Sequence, residues 1–261
     1  MNLSTGYRSG AHRSRQVSHG LTLTLCPGEL VCLIGPNGAG KSTLIRTLAG
    51  MHSSLRGAIT LGGRRIDALS RRELAQAVSV VLTGRIEAGD MTVAQLVSLG
   101  RYAHTNWFGT LTEADRRVIH EAMEAVGILS LAERNVGELS DGEQQKTLIA
   151  RALAQDPAVL LLDEPTAYLD LPHRVEGMKT LRGLARHGGR AILLSTHDLD
   201  LALRSADRLW LMASDGSLHT GAPEDLVLSG VFQNTFHREG VSFDPYTGSF
   251  SMSNDQSGVV A

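Results

Sequence analysis

An α/β fold is what this sequence predicts: a mostly parallel sheet, with antiparallel β elements and a helical subdomain inserted part way along the chain. Three observations carry that prediction. Short apolar runs with β-branched residues, punctuated by glycine, recur at 21–25, 29–34, 78–82, 159–162 and 191–195, each of strand length. Segments of helical period at 41–49, 172–185 and 199–205 alternate with them, as parallel strands joined by helical crossovers require. Between residues 82 and 159 the strand signal fades, and 93–99, 112–126 and 140–153 read as helices.

Residues 1–81 and 159–261 are therefore expected to form the core, and residues 82–158 the inserted helical subdomain. After Pro223 a short helix, a turn at Pro245-Tyr246-Thr247-Gly248 and a polar stretch from Ser253 predict a small C-terminal hairpin and a frayed end. No internal repeat is legible. A chain of 261 residues can bury a full core yet remain one domain with an insert. Its 42% hydrophobic and 20% charged residues are globular values that exclude wholesale disorder. The formal charge of -2 argues against a surface that seeks nucleic acid. Cys26 and Cys32 flank the turn at Pro27-Gly28-Glu29 and read as two reduced core thiols. No apolar stretch is long enough to cross a bilayer, and the amino-terminal residues lack the apolar core of a secretory signal.

Gly35-Pro36-Asn37-Gly38-Ala39-Gly40-Lys41-Ser42 satisfies GxxxxGK[ST], between an apolar strand and a helical segment that continues through Thr43. Glycines let successive backbone N–H groups turn toward an anion, and the following helix adds its positive end. Lys41 would reach the β- and γ-phosphates, and Ser42 would ligate magnesium through its hydroxyl. The motif predicts nucleotide binding. Alone, it does not choose between kinases, GTPases and motors.

The run of residues 159–162 ends abruptly in Asp163-Glu164-Pro165, two carboxylates at the end of a buried strand, where open α/β sheets bind ligands. Successive strand residues point to opposite sides, so the two acids can hold different jobs. Asp163 would hold the magnesium shell through water. Glu164 would act as catalytic base on a water that attacks the γ-phosphorus in line.

Leu139-Ser140-Asp141-Gly142-Glu143-Gln144-Gln145 opens the helical run ending in Ala150-Arg151-Ala152-Leu153, with Ser140 and Glu143 in a capping-box pattern. Taken locally it reads as a well-capped helix. Its place just upstream of the carboxylate strand makes it resemble the LSGGQ signature of the ABC ATPase family, and that resemblance covers nearly the whole chain. It implies a P-loop NTPase with a RecA-like core, antiparallel β elements and an inserted α-helical subdomain, using ATP and Mg2+. It also implies that Ser140, Asp141, Gly142 and Glu143 act in trans, on the γ-phosphate held by the loop of a second copy in a homodimer. Ala167-Tyr168-Leu169-Asp170 resembles the D-loop at the dimer seam, with Asp170 its acid. His197, in Ser195-Thr196-His197-Asp198, resembles the switch histidine that positions water against Glu164. Leu3-Ser4-Thr5-Gly6-Tyr7 resembles the aromatic A-loop, so Tyr7 would stack on adenine, and the chain begins inside what the family presents as its first strand. Where the family carries a magnesium-sensing Q-loop glutamine, this chain has Thr83, of shorter reach.

Leu99-Gly100-Arg101-Tyr102-Ala103-His104-Thr105-Asn106-Trp107-Phe108-Gly109 resembles a stretch of the ATPases that serve iron-siderophore, haem and cobalamin importers. Tyr102, Trp107 and Phe108 either form a contact patch for a membrane permease or pack locally under a loop. The resemblance implies a peripheral protein on the cytoplasmic face of the membrane, partnered by permease subunits and, indirectly, by a substrate-binding protein. A soluble ABC-type ATPase of iron-sulfur assembly and a non-hydrolysing nucleotide sensor are the competing readings. DNA-repair relatives are set aside because the long heptad coiled coils they insert are missing.

Overall fold

Apolar runs of five residues are stable only where both faces of a sheet are covered. In the computed structural model, which describes residues 2–9, 13–84, 88–106, 108–167, 169–236, 241–244 and 249–252, the runs at 29–34, 159–162 and 191–195 form interior strands of a six-stranded sheet and the run at 78–82 its edge. The chain opens with an antiparallel hairpin, β1 (Leu3–Ser9) and β2 (Arg13–Leu21). It then enters the sheet as β3 (Leu30–Ile34) and leaves through α1 (Lys41–Leu48). A two-residue pair, β4 (Thr60–Leu61) and β5 (Arg64–Arg65), precedes α2 (Arg71–Ala77) and strand β6 (Val78–Val81). Among the described residues three α-helices follow without a strand: α3 (Val93–Ser98), α4 (Glu113–Ala125) and α5 (Asp141–Ala154). The sheet resumes with β7 (Val159–Asp163), α6 (Leu171–Gly188), β8 (Ala191–Ser195), α7 (Leu199–Ser205), β9 (Arg208–Met212) and β10 (Leu218–Gly221). Helices α8 (Pro223–Leu228) and α9 (Val231–Phe236) lead to a hairpin of β11 (Val241–Asp244) and β12 (Ser249–Met252). The turn at 245–248 and the tail from Ser253 lie outside the described residues.

The sheet order is β10-β9-β3-β8-β7-β6, parallel throughout except for β10. Because strand side chains alternate, each central strand feeds two cores. Leu30, Cys32, Ile34, Leu160, Leu162, Ile192, Leu194, Leu209 and Leu211 join one apolar cluster. Val31, Leu33, Leu161, Leu193, Trp210 and Met212 join the other, with Leu44 and Ile45 of α1. The first cluster runs on without a break into Val93, Leu96, Ile119 and Leu148 of the strandless helices. Cys32 lies fully buried within it, its thiol pushed far above the usual range by burial, whereas Cys26 is only half-buried.

One sequence expectation needs correction, and one strand was not expected. The run 21–25 is not a strand: β2 ends at Leu21, and Leu23 and Leu25 pack on the second cluster from unpaired chain. Alternating apolar residues satisfy a core surface whether or not the backbone joins a ladder. Conversely, β9 lies inside the sheet between β10 and β3, yet Arg208-Leu209-Trp210-Leu211-Met212 contains no β-branched residue to announce it.

Helices α2, α3, α4 and α5 each begin with a reciprocal capping box, at Ser70/Glu73, Thr92/Gln95, Thr112/Asp115 and Ser140/Glu143. Each satisfies two backbone N–H groups that the helix start would otherwise leave open. Asp115 does more. Besides its bonds from Thr112, it accepts from Arg101 Nε at 2.8 Å, and Arg101 Nη1 donates to Ala154 O at 2.9 Å, so one buried pair joins α4 to the end of α5. The Thr112 hydroxyl first, then its N–H and Arg101, hold the Asp115 carboxyl at about 2. A depressed carboxyl stabilises the fold above its unfolded pKa, and that contribution is lost as pH falls through its folded value. Thermal melting should therefore show a stability loss between about pH 4 and pH 2 that Asp115→Asn lacks. At neutral pH the same variant should be less stable by about 3 kcal/mol, because Arg101 is left buried without its partner. Equal stability of variant and parent at both pH values would remove this role.

Candidate functional site

The loop between β3 and α1 is shaped by what packs beneath it. Gly40 takes a left-handed φ of 110° at the start of α1, and a Cβ there would lie 2.1 Å from Val17 Cγ1. Only glycine lets β2 and the loop approach this closely. No side chain caps the start of α1, so its first N–H groups are available to an anion. Lys41 is buried to 6% exposure and folds back over the loop, donating to Gly35 O at 2.8 Å and Pro36 O at 3.2 Å. Burial lowers its pKa, and the nearby Glu164 and Asp163 partly restore it.

The carboxyl ends of three parallel strands meet beside this loop. Asp163 closes β7 and Ser195 closes β8, as directly paired neighbours. Asp163 Oδ1 accepts from Ser42 Oγ at 3.1 Å and from Ser195 Oγ at 2.7 Å, while Ser195 Oγ also accepts from the Glu164 N–H at 3.0 Å. Thr83, just beyond β6, donates its hydroxyl to the Asp163 carbonyl at 2.7 Å. Glu164 has φ +51°, a left-handed conformation that costs a residue with a Cβ about 1 kcal/mol or more. That turn takes Glu164 out of the strand, and its Oε1 hydrogen-bonds His197 Nε2.

One cleft of about 410 Å³ is lined by Tyr7, Arg15, Val17, Asn37, Gly38, Gly40, Lys41, Ser42, Thr43, Glu164 and His197. The hairpin places Tyr7 directly opposite Arg15, so both side chains project from the same face. The Tyr7 hydroxyl pairs with Thr43 Oγ1 at 2.7 Å, and its ring meets His52 edge-on at 5.7 Å. The half-exposed ring is thereby fixed at the mouth, available for stacking. The cleft thus offers a loop of N–H groups, an ammonium, a hydroxyl–carboxylate pair and a second carboxylate on a histidine. That set suits a nucleoside triphosphate and an attacking water.

Ser140, Asp141, Gly142 and Glu143 do not join it. They line a second cleft of about 320 Å³ with Lys146, Leu169, Asp170 and His173, which shares no residue with the first. Ser140 caps α5, and Glu143 is held below the usual carboxylate range, chiefly by the Ser140 N–H. Asp170 caps α6 and hydrogen-bonds His173. Tyr168 lies outside the described residues. So does Trp107, but Tyr102 and Phe108 are 80% and 87% exposed, which removes the alternative that these two pack under a loop.

Sequence reasoning missed Ser195, Arg15 and Val17. The serine could have been found from the parallel register of its strand with the carboxylate strand. For Arg15 and Val17 no local signal existed, because the hairpin alone brings them over the loop.

Residues 18–167 match the family model described as ABC transporter. The chain is 41% identical over 254 residues to an uncharacterized ABC transporter ATP-binding protein of Methanocaldococcus jannaschii, covering 97% of this chain and 86% of that protein. It is 34% identical over 247 residues to the iron(3+)-hydroxamate import ATP-binding protein of Bacillus subtilis, covering 94% and 92% of the two chains. Among solved structures it is similar to an inward-facing transporter assigned to the metal-chelate ABC type, with TM-score 0.76, 27% identity and coverage of 96% of this chain and 95% of that one.

Proposed function

This chain belongs to the ABC transporter family as an ATP-binding, ATP-hydrolysing subunit, and from that premise we propose that two copies form the motor of an importer for a metal chelate. One observation carries the proposal: the phosphate loop and the signature serine line separate clefts of the same chain. A site that grips the triphosphate from both sides is then completed by a second copy.

In that closed pair the backbone N–H groups of residues 37–43 and the Lys41 ammonium hold the β- and γ-phosphates, and Tyr7 stacks on the adenine. Ser140 and the amino end of α5 from the other copy clamp the γ-phosphate, the helix dipole adding to the serine hydroxyl. The donor set at Ser42 and Asp163, a hydroxyl and a carboxylate joined at 3.1 Å, fits a magnesium ion, which takes oxygen ligands and keeps much of its shell as water and phosphate. Bound there, the ion would neutralise charge building on the phosphate oxygens. Thr83, already on the Asp163 carbonyl, lies one residue from that shell. Glu164 takes a proton from water while the water oxygen bonds to the γ-phosphorus and the bond to the β-phosphate oxygen breaks. His197 orients the water and the Glu164 carboxylate. Loss of the γ-phosphate removes what the two copies share, and the pair reopens.

No described helix is long and apolar enough to cross a membrane; in the proposed importer the pathway for cargo belongs to a permease. Tyr102 and Phe108, exposed on the helical segment, suit its docking; in this reading the chain sits peripherally at the cytoplasmic face, with a substrate-binding protein beyond the membrane. The cargo class follows the relative named for iron(3+)-hydroxamate import and the metal-chelate structural neighbour. Deleting the gene should abolish cellular uptake of at least one of ferric siderophore, haem and cobalamin, with rescue by the parent but not by Glu164→Gln. Unchanged uptake of all three would sink the cargo assignment.

A further inference from the structure

Arg174, in the first turn of α6, makes two bonds that nothing above accounts for. Its Nε donates to Leu169 O at 2.7 Å and its Nη1 to Asp198 Oδ2 at 3.4 Å. Leu169 immediately precedes Asp170, and Asp198 immediately follows His197. Asp198 is itself committed locally: Oδ1 caps α7 at the Leu201 N–H, 3.1 Å away, and its own N–H donates to Thr196 Oγ1 at 3.0 Å. Arg174, Thr196, His197 and Asp198 line a cleft of about 310 Å³ with Glu164, Thr166 and Ala167. The loop after β7 and the loop after β8 therefore face each other across Glu164, joined by one guanidinium.

We propose that Arg174 is a positioning residue for hydrolysis, one that fixes the His197 loop against Glu164 by gripping the chain on both sides of the pair. The planar fork of arginine can bond a carbonyl and a carboxylate from different elements at once, whereas a lysine offers a single point charge. Both contacts are only partly exposed, at 37% for the Arg174 side chain and 18% for Asp198, so water competes weakly with them. Because Leu169 sits beside Asp170, the same guanidinium ties the segment that lines the Ser140 cleft to the histidine. A shift of the one is then felt by the other. This inference rests on the reading of Glu164 and His197 as the hydrolytic pair.

The test is a double-mutant cycle on ATP hydrolysis by the full-length chain, using Arg174→Gln, Asp198→Asn and both together. Asparagine caps a helix as aspartate does, so Asp198→Asn keeps α7 while removing the charge that Arg174 grips. Each single variant should lower kcat by roughly ten- to a hundred-fold, the scale of small misplacements of reacting groups. KM for ATP should stay within about twofold, because neither residue lines the cleft of Tyr7 and Lys41. The double variant should be no slower than the slower single, since both cut one link, and Arg174→Lys should recover part of the loss. Multiplying losses in the double variant, a change in KM instead of kcat, or full activity would each overturn the proposal. Glu164→Gln measured alongside separates the two readings. If it retains parental turnover, the hydrolytic pair itself is wrong; if it is inactive while Arg174→Gln is not, only the positioning role falls.

Discussion

Replacing Glu164 by glutamine should lower ATP turnover by about a hundred-fold or more while ATP still binds, the range a positioned general base supplies. Glutamine keeps the shape of the side chain and an oxygen for the His197 bond, but it cannot accept a proton from water. The fold should be unaffected, because the Glu164 contacts that hold the loop are made by its backbone, through the N–H on Ser195 Oγ. Affinity should hold or rise, since a carboxylate facing the γ-phosphate is removed. With hydrolysis stopped and the nucleotide retained, two copies should stay closed, so sedimentation with Mg-ATP should show a dimer that the parent loses as it turns over. Parental turnover in this variant would move the base to another residue.

Mixing two inactive variants should restore hydrolysis. Lys41→Ala removes the ammonium that lies against Gly35 and Pro36, and a copy carrying it can offer only its signature. Gly142→Asp puts a carboxylate in the first turn of α5, a position that favours acids and so spares the helix. A Cβ at Gly142 would meet only the flexible end of Leu169, at 3.3 Å. Facing a γ-phosphate, that carboxylate repels it, so this copy can offer only its loop. In a mixed symmetric pair one of the two sites joins the intact loop to the intact signature, and random pairing predicts roughly a quarter of parental activity. If each chain worked alone, the mixture would stay as inactive as its components. ATP binding by Gly142→Asp should persist, because the loop cleft contains none of the signature residues.

What could be read from the sequence follows from how local each feature is. The phosphate loop is eight consecutive residues between a strand and a helix, and its chemistry needs nothing from elsewhere except permission to approach, which Gly40 grants. Asp163 and Glu164 are adjacent, so their presence at a strand end was legible. That they face different sides followed from strand alternation, but the left-handed turn that takes Glu164 out of the strand leaves no mark in the residue types. Strand β9 was invisible for want of β-branched residues, and residues 21–25 mimicked a strand because apolar alternation reports a core surface rather than a hydrogen-bonded ladder.

By itself, then, the amino-acid order determined the local chemistry: a phosphate-binding turn, a pair of acids and a capped helix bearing Ser140. Tertiary structure alone decided which groups meet. Parallel pairing of β7 with β8 put Ser195 on Asp163, folding of the hairpin put Val17 and Arg15 over the loop, and packing of α6 put Arg174 between Leu169 and Asp198. The reason is one of range. Hydrogen bonds and charges act over a few ångströms, whereas these partners stand up to 32 residues apart in the chain, a separation that only a closed core can span.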